Sequence, residues 1–315
     1  MAAFGAQSTT DEVLEGIDLS GQWVLVTGAS AGIGQETARA VAAHGGNVVL
    51  GVRDVEKGER AAEPVRAAAA EHGATVELRE VDLASLASVR AFTDAVTADH
   101  DRLDVIVANA GVMATPEGRT ADGFETQFGT NHLGHFVLVN RLRPLLASPG
   151  RIVNLSSSGH RFSPVVLDDV NFERTPYDAW QAYGRSKTAN ILFAVELDRR
   201  GRDAGRRACA VHPGTVVTEL GRHLTEETLG ALATARAGQE TVWKTPAVGA
   251  STSVWCGFRA DAAEVGGRYC EDCHVAEPTA DAVSTTGVRD YALDPDAARA
   301  LWARSEELVG ESFPD

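Results

Sequence analysis

Basic residues are scarce in this 315-residue chain. Lys and Arg number 29 against 44 Asp and Glu, a formal charge of −15 with His neutral. Phosphate backbones and anionic membranes repel such a surface, and no local basic run offsets it, so nucleic acid is not an expected partner. Cysteine is also scarce, with four residues in all, too few for a disulfide scaffold. Pro (11) and Gly (31) are too few and too scattered for a collagen-like or low-complexity chain. The apolar stretches are strand-length and broken by Gly or polar residues, which excludes a membrane span. No basic leader followed by an apolar run opens the chain, so a secretory signal is not expected and the cytoplasm is the expected compartment.

What is present is 44% hydrophobic residues, enough for one large α/β domain or two small ones. Strand-like runs fall at 23–27, 47–52, 76–81, 103–108, 151–156 and 207–212. Helical patterns lie between them at 34–45, 61–71, 86–97, 124–142 and 182–199. Strands alternating with helices of this length imply crossover connections and a parallel sheet. No Pro-, Gly- or Ser-rich linker divides the chain and no repeat occurs. Residues 1–20 read as a polar lead-in of unassigned role, and 21–315 as one domain.

Three local patterns carry chemistry. In VLVTGASAGIG, Gly28, Gly32 and Gly34 sit at a strand-to-helix turn. Glycines there allow a tight turn, close approach of backbone to a pyrophosphate, and close helix packing, with the helix N–H groups facing the anion. In AYGRSKTANILF, Tyr183 and Lys187 are four residues apart, on one helix face. A phenol is a poor acid or base near neutrality, and an ammonium beside it favours the phenolate. The strand RIVNL also runs into Ser156, Ser157 and Ser158, whose hydroxyls can stabilise charge on a substrate oxygen or cap a turn.

The Gly-x-x-x-Gly-x-Gly spacing, the preceding Thr27 and the Tyr183–Lys187 pair resemble the classical short-chain dehydrogenases/reductases. The resemblance runs over about Ser20 to Val275 and more loosely over the tail. It implies a three-layer Rossmann-type α/β fold, with a central, mostly parallel sheet and helices on both faces. It also implies that residues 21–315 form one NAD(P)-binding catalytic domain with a substrate insertion and a carboxy-terminal helix. The cofactor residues it implies are Gly28, Ser30, Ala31, Gly32, Ile33 and Gly34 of the turn, Asp82 and Leu83 beside the adenine, and Asn109, Ala110 and Gly111 after the fourth strand. Pro213, Gly214, Thr215, Val216 and Thr218 would carry the nicotinamide and phosphate, and Tyr183 and Lys187 would meet the ribose.

The second strand ends at Gly51–Val52 and Arg53 follows, where an acidic residue would favour NAD; a basic one there implies NADP(H), with Asp54 as the alternative ribose ligand and NAD(H) still open. The implied catalytic set is Asn131, Ser157, Tyr183 and Lys187, with Ser156 as the alternative register. Asn131 would perturb its helix and hold a water beside Lys187. The expected activity interconverts a carbonyl and an alcohol on a lipophilic small molecule. Alternatives are an NAD-dependent alcohol dehydrogenase, a C=C reductase of the same fold, and a non-catalytic nucleotide sensor.

The long serine-to-tyrosine segment and the tail DPDAARALWARSEELVG look most like the retinol dehydrogenase branch. The expected apolar pocket wall comprises Val112, Met113, His160, Phe162, Trp180, Leu220, Leu224 and Leu229. Family members commonly form homo-oligomers through helices beside the sheet, and the sequence does not select an oligomeric state here. His132 and His135 invite a metal reading but lack a carboxylate arrangement, and no metal is expected. Cys270-Glu271-Asp272-Cys273-His274 matches a haem-attachment pattern, and with Cys256 it offers zinc-ligand types or a redox pair. Without an export leader, structural thiols are the expected reading.

Overall fold

The computed structural model describes residues 4–216, 218–226, 242–281, 284 and 286–314. A single eight-stranded sheet organises them. Its members are β1 (Trp23–Thr27), β2 (Asn47–Val52), β3 (Val76–Glu80), β4 (Leu103–Ala108), β5 (Leu146–Leu155), β6 (Arg206–His212), β9 (Tyr269–Glu271) and β10 (His274–Val275). The order across the sheet is β10-β9-β6-β5-β4-β1-β2-β3, parallel except for β10. A separate two-stranded parallel pair joins β7 (Thr215–Val216) to β8 (Trp243–Lys244). The chain order reverses beside β1, which opens a crevice at the carboxyl ends of β1 and β4.

Strand periodicity separates two apolar layers. Leu25, Val49, Ile106, Ile152 and Ala208 face one cluster, built with α4 (Leu86–Asp99), α6 (Gly134–Leu142), α7 (Ala179–Gly201) and α10 (Pro295–Val309). Val24, Val26, Val48, Leu50, Val105, Val107 and Val211 face the other, with α1 (Thr10–Leu14), α2 (Gly32–Ala43), α3 (Val55–Ala70) and α8 (Pro246–Val254). Alternating side chains thus clothe both faces with helices, the three-layer arrangement expected. Short helices α5 (Thr126–Phe128) and α9 (Ala262–Val265) complete the set.

Differences from the sequence reading have local causes. The third helix begins at Val55 rather than at residue 61, because Asp54 caps it by accepting from Lys57 N at 2.9 Å. Gly58 belongs inside it, since a Cβ there would meet Val52 Cγ2 at 2.7 Å. The expected 124–142 helix is broken by a π-type turn over Gly129–Leu133. The tail helix α10 packs on α7, and its Trp302 ring meets Phe136 and Phe193.

The polar lead-in contains α1, closed by a Thr9–Glu12 capping box. Val13, Leu14 and Leu19 of this stretch are buried in the α2/α8 layer. Arg259 Nε donates to Val13 O at 2.9 Å, and Arg39 pairs with Asp11. Leu14→Ala is therefore expected to lower unfolding stability by about 2–5 kcal/mol, the range for emptying a buried leucine site. Denaturant titration checks this, and an unchanged midpoint would mean that α1 contributes nothing to the core.

Candidate active site

Gly28 follows β1 directly and adopts φ +67°. A Cβ there would lie 2.8 Å from Ala110 Cα, so the turn closes only on glycine. Gly32 has φ +57°, and a Cβ on it would meet Thr218 Cγ2 at 2.9 Å. Thr218 therefore lies against the turn, while its hydroxyl accepts from Leu220 N at 3.3 Å. Ala31 is the N-cap of α2 and provides no side-chain cap, and the first turn has no acidic residue. By contrast, α3, α4, α7, α8 and α10 are each capped by a side-chain oxygen. The N–H groups at the start of α2, with Ser30 and Ile33 beside them, thus present an uncapped positive helix end suited to a dinucleotide pyrophosphate.

Asn109 locks the two central strands together. Its Nδ2 donates to Thr27 O at 2.8 Å, and the Asn109 and Ala110 N–H groups donate to Thr27 Oγ1 at 2.9 and 3.1 Å. Arg53 is exposed at the end of β2 and has no ion pair or hydrogen bond among the described residues. Asp54, the alternative ribose ligand, is engaged as the α3 cap. Asp82 Oδ1 accepts from Ala84 N at 2.9 Å, a turn role, with buried Leu83 next to it. His212 Nδ1 takes the Gly214 N–H at 3.4 Å, which shapes the Pro213–Gly214 turn leading into Thr215 and Val216 of β7. Gly214 has φ +83° and faces the Lys244 side chain, whose ammonium pairs with Asp272 at 2.5 Å.

The four residues of the expected catalytic set come together over these strand ends. Ser157 Oγ accepts from Gly159 N at 3.0 Å and lies beside the Tyr183 phenol, whose pKa it acts to lower. The Tyr183 ring lies over Gly159, where a Cβ would meet its Cε1 at 2.5 Å. Ser156 is different: its hydroxyl is buried and donates to Lys187 O at 2.8 Å, so of the two registers it is Ser157 that faces the phenol. Lys187 Nζ is 5.7 Å from the Tyr183 ring centroid and donates to Leu155 O at 3.1 Å. Gly111 marks the meeting point, since a Cβ on it would lie 3.1 Å from Asn131 Oδ1 and 3.5 Å from Lys187 Nζ. Asn131 sits in the π-type turn, with Nδ2 donating to Val112 O and Ser186 Oγ, both at 2.9 Å.

Burial, not the ammonium, dominates the electrostatics. It pushes the Tyr183 phenol up to about 12, against the opposing Ser157 hydroxyl. It pushes the Lys187 ammonium down to about 8. In the cofactor-free chain burial thus outweighs the neighbouring ammonium at this phenol, which stays protonated near neutrality.

Of the expected wall, Phe162 and Trp180 pack ring to ring at 5.5 Å, and Trp180 lies 6.3 Å from the Tyr183 ring. Val112 is buried beside the half-buried Met113, and Leu220 and Leu224 are half-buried. Leu229 lies outside the described residues. His160 is buried rather than on a wall: its Nδ1 lies 2.7 Å from Ser157 O and its Nε2 accepts from Arg289 N at 3.2 Å. Tyr177 turns inward and donates to Thr115 O at 3.0 Å. Composition gave no sign of either role, because both depend on contacts distant in sequence.

Cys270 and Cys273 flank a hairpin turn in which Asp272 and Cys273 have φ +49° and +57°. All four cysteines are free and buried. Among the described residues, no group of three or more His, Cys, Asp or Glu is placed to hold a metal ion, and no helix is long and apolar enough to cross a membrane.

Comparison with known proteins agrees with this geometry. Residues 22–229 match the family model for short chain dehydrogenase. Retinol dehydrogenase 13 of Homo sapiens is 39% identical over 308 residues, spanning 94% of this chain and 87% of its own. Short-chain dehydrogenase/reductase prx1 of Penicillium rubens is 41% identical over 292 residues, spanning 90% and 84%. A solved, uncharacterized protein from Mycobacterium Paratuberculosis superposes with a TM-score of 0.72 at 37% identity, covering 95% of this chain and 97% of that one. The Pseudomonas aeruginosa RhlG/NADP complex gives 0.62 at 26% identity, covering 81% and 95%. The chain belongs to the short-chain dehydrogenase family and is an enzyme of that class.

The Lys187 value is open to direct measurement. In the cofactor-free protein, carbon-detected NMR of the lysine side chain is expected to show titration near 8, well below the ordinary 10.5. Titration at the ordinary value would mean that water reaches the ammonium.

Proposed function

We propose that this enzyme is an NADP(H)-dependent oxidoreductase that interconverts a carbonyl and an alcohol on a lipophilic small molecule. The observation that carries the reading is the convergence of Ser157, Tyr183, Lys187 and Asn131 at the end of the glycine-turn crevice. A bound nicotinamide supplies the hydride to the carbonyl carbon in reduction and accepts it in oxidation. Ser157 Oγ and Tyr183 Oη hold the substrate oxygen. As negative charge develops on that oxygen, the phenol, protonated at rest, gives its proton and an alcohol results. Lys187 places a positive charge beside the phenol and stabilises it as it loses the proton. Oxidation reverses each step.

Arg53 supports NADP(H). It is an exposed guanidinium without a hydrogen bond or ion pair among the described residues, at the strand end that would meet the adenosine ribose, and can bind a phosphate there bidentately. NADP in the RhlG complex, a relative by fold and sequence, is in line with this. The Phe162–Trp180 aromatic edge and Val112 support an apolar substrate, and the name of the Homo sapiens relative points to lipophilic alcohols, in line with a retinol dehydrogenase-like branch. Four free thiols suit a reducing compartment, and we place the protein in the cytoplasm.

Tyr183→Phe keeps the ring and removes only the transferable proton. It is expected to lower kcat for carbonyl reduction by about 10²–10⁴-fold while the NADPH dissociation constant stays near that of the parent. Full turnover by this variant would overturn the reading.

A further inference from the structure

We infer that His135 is a positioning residue that fixes the backbone carbonyl of Asn131 from the end of β1, through the hydroxyl of Thr27. The inference rests on the catalytic reading of Asn131 given above.

The geometry determines where the proton sits. His135 is fully buried, with Nδ1 3.0 Å from Asn131 O and Nε2 2.9 Å from Thr27 Oγ1. A hydroxyl has one proton and two lone pairs. Both lone pairs of Thr27 Oγ1 are taken, by the N–H groups of Asn109 and Ala110. Its proton must therefore go to His135 Nε2, which acts as acceptor. The single proton of the neutral ring is then on Nδ1 and is donated to the Asn131 carbonyl. A second proton on Nε2 would face an oxygen with no lone pair left. Burial favours the same neutral state, holding the ring near 4.

His132, one turn earlier, shows that this is not a general property of the motif. Its Nε2 meets Ser305 Oγ at 2.8 Å, and that hydroxyl already donates to Leu301 O. His132 therefore carries its proton on Nε2, and its Nδ1 is buried without a hydrogen-bond partner among the described residues, beside Phe128, Phe136 and Phe193. The two histidines of one short segment hold opposite tautomers: His132 packs α10 onto the domain, while His135 reaches the site.

The consequence lies at Asn131. This residue sits in a π-type turn, where the regular α-helical ladder is interrupted. Its side chain is held by Val112 and Ser186. Its carbonyl is held by His135. The Thr27–His135–Asn131 chain thus links the residue before the Gly28 turn to the residue that shares the space over Gly111 with Lys187. The imidazole proton takes one of the carbonyl's two lone pairs, and the position and direction of that carbonyl are what His135 sets.

The first test uses the unmodified protein. Two-bond nitrogen–proton correlations of ¹⁵N-labelled enzyme are expected to show His135 neutral and protonated on Nδ1, and His132 neutral and protonated on Nε2. An imidazolium, or a proton on His135 Nε2, overturns the inference. The second test compares His135→Leu with His135→Asn, whose amide can still donate to the Asn131 carbonyl. The Leu variant is expected to lose about 10–100-fold in kcat, with KM and the NADPH dissociation constant within about threefold, and the Asn variant to recover about tenfold or more of the loss. Parent-level kcat in the Leu variant overturns the inference, as does an equal loss in both variants that tracks their melting temperatures. Tyr183→Phe, run in parallel, reports separately on the catalytic reading, while the tautomer result reports on His135 alone.

Discussion

The hydroxyl of Thr27 is the point at which the two central strands of the sheet are joined. Strand β1 ends there and β4 ends beside it, and the amides of Asn109 and Ala110 converge on one oxygen. Leaving those amides unpaired in a buried place would cost free energy comparable to lost hydrogen bonds. The same threonine carbonyl takes the Asn109 amide, and Gly28 must then turn with positive φ in contact with Ala110. The phosphate-facing turn, the floor of the crevice and the Asn131 backbone all take their positions from this junction.

Above the junction the site is defined by exclusion of water. Tyr183 and Lys187 are nearly fully buried, and burial shifts both away from their charged forms. The phenol rests protonated, the state needed to donate to a carbonyl oxygen. Burial weakens the lysine's hold on its proton, and its ammonium donates to the Leu155 carbonyl. A low-dielectric site in which each charge has few partners responds strongly to any charge that forms on the substrate.

Much of this was legible in the sequence. Strands β1, β2 and β4 fall where their apolar runs place them, because each is a short continuous run bounded by turn residues. Tyr183 and Lys187 are four residues apart, so helix geometry alone puts them on one face. The Thr9–Glu12 capping box was also present in the sequence, within a stretch that reads as a polar lead-in. Other features were not legible, for identifiable reasons. Ser157 was named through the resemblance, but residue type alone does not separate it from Ser156, because which one faces the phenol depends on the Ser156 contact with the Lys187 carbonyl in α7. The hairpin around Asp272 sits inside a pattern that resembles ligand spacing. The link from Thr27 to His135 spans 108 residues, beyond any local pattern.

The account stands or falls on whether this crevice binds NADP(H) and uses it for carbonyl chemistry. The most direct measurement follows nucleotide absorbance with purified protein and a panel of lipophilic ketones and aldehydes, NADPH and NADH in parallel. The account predicts turnover with formation of the alcohol, and a higher kcat/KM with NADPH than with NADH. Binding of neither nucleotide, or clear preference for NADH, would contradict it.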